Sequence, residues 1–157
     1  MAMKVVTFTV LALAVAGCGQ GGSNVVQHSA GGQTVTVADS KNGDLKAEVG
    51  ATATMPTDLP SWTPAYPGST VEMAQQQSRP TGGAVENVML STRDDLTKVT
   101  AFYDAKIAKA GVKLMQSVVS ADVSTRMAET PAGIVGVTVS RADDGGSTIS
   151  ITRLPKS

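Results

Sequence analysis

The sequence predicts an α+β fold. The expected form is a two-layer sandwich with one main helix, about residues 93–110, on an antiparallel sheet, preceded by a small β-hairpin and a Pro-rich segment. Three observations lead there. Leu96, Val99, Tyr103, Ile107 and Ala110 fall at spacings of 3, 4, 4 and 3, which draws one apolar stripe along a helix. After Gly111 the period drops to two: Val135, Val137 and Val139 alternate with Gly136, Thr138 and Ser140, and Ile149 and Ile151 alternate with Thr148, Ser150 and Thr152. Strands alternating this cleanly keep one wet face, the antiparallel pattern, and a helix on the apolar face would complete the second layer.

Residues 1–17 have the three-part layout of an export signal. Lys4 supplies a positive charge, and Val5 to Val15 is an uncharged apolar run of eleven residues. A spanning helix needs about 20 apolar residues, so this run suits a signal segment better than a permanent anchor. Small residues follow, and then the chain's single cysteine. The stretch Val15-Ala16-Gly17-Cys18 resembles the lipobox of bacterial lipoproteins. That resemblance implies a diacylglyceryl thioether on Cys18, cleavage between Gly17 and Cys18, and in many bacteria a further acyl chain, such as palmitate, on the new N-terminus. The expected location is the cell envelope, on the periplasmic side of a membrane held through covalent lipid. Gly19 stands where Asp would mark inner-membrane retention in enteric bacteria, so the resemblance favours the outer membrane if the host has two.

Residues 18–33 read as the lipidated N-terminus and a flexible tether, since Gly19 to Gln33 is rich in Gly, Ser, Gln and Asn without apolar period. Fifteen such residues span roughly 20 Å on average. Residues 34–54 read as a small hairpin: Val35 and Val37 alternate with threonines, Leu45, Ala47 and Val49 alternate with Lys46 and Glu48, and Asn42-Gly43 is the turn. Residues 55–68 carry Pro56, Pro60, Pro64 and Pro67, which favour a stiff extended connector with Leu59, Trp62 and Tyr66 as contacts.

The compact domain is expected over 69–157. Thr70 to Met73 and Ala84 to Leu90 read as strands around a Pro80-Thr81-Gly82-Gly83 turn. Thr92 reads as the helix N-cap with Asp95 three residues on, and Gly111 as the residue that ends the helix. Strands around Val112 to Val118 and Val123 to Ala128 precede the two clean ones, with an Asp143-Asp144-Gly145-Gly146 turn between those. The Tyr66-Pro67-Gly68 step, the Thr92-Arg93-Asp94 helix start and the Phe102-Tyr103 pair resemble a domain recurring in uncharacterised bacterial lipoproteins and secreted proteins. Those motifs are structural, and the resemblance implies a fold without an activity.

Composition narrows the chemistry. The chain has thirteen basic and thirteen acidic residues. Losing Lys4 with the signal leaves twelve against thirteen, with no basic stripe to neutralise a phosphate backbone, so nucleic acid is not an expected partner. His28, the one histidine, lies in the expected tether, where it is not held rigidly beside a nucleophile. With Cys18 lipidated no soft zinc site can be assembled. The Asp39 to Asp44 loop has Lys41 and Gly43 where a calcium loop needs oxygen ligands. Asp94-Asp95 suit a helix start, and Asp143-Asp144 a turn. The sequence thus offers Cys18 as lipidation site and Gly17-Cys18 as cleavage site. It offers no catalytic residue, no metal site, no cofactor and no assignable ligand-binding residue. The expected role is a noncatalytic binding or scaffold module of the envelope, its partner a protein, glycan or lipid. Two other readings stay open: a carboxylate-dependent envelope hydrolase, and an accessory subunit of an envelope assembly.

Overall fold

The computed structural model describes residues 22–29, 31–39, 43–80 and 82–156. Among these residues nine strands form one antiparallel sheet and one helix of 15 residues accompanies it. The strands are β1 (Gly22–Ser29), β2 (Gly32–Asp39), β3 (Leu45–Gly50), β4 (Thr70–Ser78) and β5 (Ala84–Thr92). The helix α1 (Leu96–Ala110) follows, then β6 (Leu114–Val119), β7 (Val123–Thr130), β8 (Gly133–Arg141) and β9 (Ser147–Pro155). Their order across the sheet is β1-β2-β3-β4-β5-β9-β8-β7-β6. Two meanders therefore meet in the middle, and the α1 crossing carries the chain from β5 at the centre to β6 at the far edge.

The expected two-layer sandwich with a main helix is corrected by this architecture. The molecule is chiefly sheet, and α1 covers only part of one face. The hairpin is no separate unit, because β3 pairs with β4 as well as with β2. Gln75, Gln76 and Gln77 have no apolar alternation, so β4 looked complete at Met73, yet β4 runs on to Ser78. Backbone partners on both sides, β3 and β5, supply what side-chain pattern did not. The stretch expected to be a spacer contains β1, paired with β2 from Ser29↔Gly32 outward. Cys18 and Gly17 lie outside the described residues.

The core lies on one face of β5, β9, β8 and β7. Val88, Leu90, Ile149, Ile151, Val135, Val137, Val139 and Ala128 are buried there, beneath Leu96, Val99, Tyr103 and Ile107 of the helix. Trp62 and Tyr66 from the Pro-rich segment complete the cover, with Leu59 packed against the edge of the cluster. Register explains the packing: Val88, Ile151 and Val137 form one row across three strands, and Leu90, Ile149 and Val139 the next. Pro67 and Gly68 make the turn that aims Tyr66 inward. Ser69 N donates to Tyr66 O at 3.0 Å, and Gly68 has φ 75°, a value that costs a side-chain-bearing residue dearly. Tyr66 and Phe102, then Phe102 and Tyr103, meet edge to face with centroids 5.1 Å apart.

The helix begins three residues later than expected for a Thr92 cap. Thr92 is still in the sheet, opposite Ser147, so Asp95 takes the cap and accepts from Lys98 N at 2.9 Å. Gly111 ends the helix at φ 64°.

Candidate functional site

The apolar rows give way to a polar one toward the β3 side. Lys46, Gln76, Glu86 and Arg153 are consecutive register partners across β3, β4, β5 and β9, one row beyond Val88 and Ile151. The chain between β3 and β4 passes above this row at Thr54 to Asp58, leaving a pocket of about 200 Å³. Lys46, Glu48, Gln76 and Glu86 line it from the sheet, and Thr54 and Asp58 from above.

Glu86 is the unusual group, with 1% of its surface exposed. Its Oε1 accepts from Arg153 Nη2 at 2.6 Å and from Gln76 Nε2 at 3.1 Å. Its Oε2 is buried and has no hydrogen-bond partner. Burial pushes the Glu86 carboxyl above its ordinary value of 4.5 and the charge of Asp58 adds to this, against the opposing pull of Arg153 and Gln76. Arg153 is a bridge. The same Nη2 also donates to Asp58 Oδ2 at 2.5 Å, tying the overhead segment to the sheet, while Arg153 Nε is buried without a partner. At the open side Lys46 pairs with Glu48 at 2.6 Å, and Thr54 Oγ1 donates to Glu48 Oε2 at 3.4 Å.

Fully ionised, the pocket and its bridge carry three carboxylates (Glu48, Asp58, Glu86) against two cations (Lys46, Arg153), a net of −1. A carboxylate removed from water keeps its charge only if paired, and an unsatisfied oxygen leaves part of the desolvation cost uncompensated. The chemistry on offer is therefore acceptance of a hydrogen bond from a donor, best a charged one. Among the described residues no three His, Cys, Asp or Glu side chains are grouped to hold a metal ion.

The residues weighed from sequence lie elsewhere. Asp94 is at the start of α1, accepting from Tyr66 Oη at 2.6 Å and Lys98 Nζ at 2.9 Å. Those two bonds hold its carboxyl below the ordinary 3.8. Asp143 and Asp144 sit in the β8–β9 turn, where Asp144 Oδ1 accepts from Gly146 N at 3.0 Å. His28 is an exposed residue of β1. Sequence reasoning passed over Glu86 and Arg153, although a signal was present. Glu86 is in phase with buried Val88 and Leu90, and Arg153 with buried Ile149 and Ile151, so both charges stand at core-facing positions of apolar alternations.

Arg126, also buried, has a different character. It grips Asp104 of α1 through Nε at 2.8 Å and Nη2 at 3.0 Å, while Nη1 donates to Val118 O, Ser124 Oγ and Thr125 O. Every nitrogen is used, which makes it a strut between helix and sheet. Among the described residues no helix is long and apolar enough to cross a membrane. In comparison with known proteins no family matches the chain, and neither a curated protein nor a solved structure matches it.

Proposed function

We propose that the chain is a cell-envelope lipoprotein, tethered through lipid on Cys18, whose folded part is a noncatalytic binding module. The carrying observation is the lipobox-like Val15-Ala16-Gly17-Cys18 at the end of an eleven-residue apolar run, with the chain's one thiol at the acceptor position. The outer membrane is the destination in a host with two membranes, since Gly19 is not a retention residue. The buried, half-satisfied Glu86 in a lined pocket supports the binding role. The direct test is metabolic labelling with a fatty acid. The natural chain takes up label and is shortened by its signal; Cys18→Ala takes up none and stays uncut. Label on the Cys18→Ala chain would refute the anchoring reading.

One observation favours a second reading, a carboxylate-dependent hydrolase. Glu86, with its raised proton affinity, and Asp58 face one pocket, the sort of unlike pair that acid–base catalysis uses. Against it, a single Arg153 nitrogen bridges Glu86 Oε1 and Asp58 Oδ2, so the two carboxylates share one cation instead of flanking a cleft from opposite sides. Turnover of an envelope glycan that disappears in Glu86→Gln would establish the hydrolase and displace the noncatalytic reading.

A further inference from the structure

The geometry points to the Glu86 pocket as a binding site for a small molecule bearing a primary ammonium group, with an N–H of that group donating to Glu86 Oε2. This deepens the binding-module reading and rests on it.

Four features carry the inference. Glu86 is almost wholly buried, yet Oε2 has no partner, so the site is built around an acceptor whose donor is not part of the fold. An acceptor kept from water in this way gains most from a charged donor. The balance of three carboxylates against two cations leaves one negative charge for such a ligand to neutralise. Size sets the limit. About 200 Å³ is below the roughly 300–1,000 Å³ of pockets that hold drug-sized ligands, so a head group of a few heavy atoms fits and an oligosaccharide does not. The way in is on the Gln76 side, because that residue is exposed and its amide is held to the carboxylate by one 3.1 Å bond. An arriving ammonium passes that amide, which stays on Oε1, and donates to the open Oε2. Around the ammonium, Thr54 and Asp58 close the pocket from above, and Lys46, already paired with Glu48, keeps its own charge away from the newcomer.

A primary ammonium of this size could come as a free amine or as the head group of a membrane lipid, and the experiment separates the two. The full chain, purified in detergent, is titrated by calorimetry and by amide chemical shifts with ethanolamine and with ethylene glycol, its neutral counterpart. Saturable one-to-one binding of ethanolamine, at least tenfold tighter than the diol, with shifts at Ala74, Gln76 and Glu86, is the expected result. Glu86→Gln should weaken ethanolamine at least tenfold, and Asp58→Asn, on the exposed overhead segment, severalfold. If Glu86→Gln does not fold, Asp58→Asn and the diol comparison decide. In a second arm the chain is mixed with phosphatidylethanolamine or phosphatidylcholine vesicles. The trimethylated head group of phosphatidylcholine has no N–H to donate, so pocket shifts with phosphatidylethanolamine alone identify a lipid source. Shifts with ethanolamine alone identify a free amine. The inference is overturned if neither amine binds, if the diol binds equally well, or if binding is indifferent to both substitutions. Those failures leave the tether standing, because labelling of Cys18 is read independently.

Discussion

A charge inside a sheet is a commitment that neighbouring residues must honour, and Arg153 shows what it involves. Its one Nη2 serves Glu86 and Asp58 together, so removing it strands a buried carboxylate and frees the overhead segment at once. Arg153→Ala should cost about 3–5 kcal/mol, the usual penalty for breaking a buried pair from one side. Urea denaturation measures it, and a loss below about 1 kcal/mol would mean that water reaches Glu86 readily. The pH dependence follows from the same group. A carboxyl whose folded-state value lies above its unfolded one binds its proton more tightly in the folded chain. Glu86 therefore favours folding below 4.5, and that contribution is lost as pH rises through its raised value. Asp94, held below 3.8, behaves oppositely: its contribution is present above 3.8 and goes as pH falls through the lowered value. Melts of the natural chain and Glu86→Gln from about pH 3 to pH 8 should show a constant gap below 4.5 and the natural chain losing ground as pH rises from there through the raised value. A gap constant over the whole range would show that Glu86 titrates as though unfolded.

At the scale of elements, α1 is where sequence and structure agree most closely, because a stripe at helical spacing has one geometric solution. Leu96, Val99, Tyr103 and Ile107 are the helix residues buried against the sheet. Ile107→Ala should cost about 2–5 kcal/mol in denaturant melts. The fitting control is exposed Lys109, where alanine should change stability by less than about 0.5 kcal/mol. Lys106 is a poorer control, since it is half-buried and its Nζ stands 5.1 Å from the Phe102 ring centroid. Equal losses at Ile107 and Lys109 would mean the buried face is misplaced. The alternations of β8 and β9 were equally legible. Less legible were the cap and the length of β4. Asp95 and Thr92 both suit a cap by side chain, and pairing with Ser147 decides between them, a contact 55 residues away that no local pattern carries. Polar β4 beyond Met73 is held by neighbours in the ladder.

For the whole molecule, the sequence conveyed the antiparallel character and the helix but not the single sheet. Alternation tells which face of a strand is wet; it does not say which strand lies beside which. That β5 pairs with β9, and that β3 joins β4, are long-range facts settled by whether apolar rows line up across strands. The pocket was hidden for the same reason, since Glu86 and Arg153 become meaningful only once register sets them opposite each other. A consequence for folding is open to measurement. Val88 and Leu90 on β5 find their row partners Ile151 and Ile149 on β9, so neither meander has a closed core alone. Pulse-labelled hydrogen exchange during refolding should show β5 and β9 amides gaining protection in one kinetic phase. Early protection of β5 with β9 still open would indicate instead that the first meander is an independent unit.

The same central seam bears on how such a chain would travel. An N-terminus-first chain lays down β1 to β5, crosses by α1 to the far edge, and works back inward, so the strand that closes the sheet is the last of the nine to appear. Until β9 arrives, Val88 and Leu90 face solvent along an open strand, a surface that adheres readily to other chains. Topology thus postpones closure of the sheet until β9 has emerged. If the proposed export holds, that delay keeps the precursor threadable, and the interval before closure is the time when a holding partner matters most.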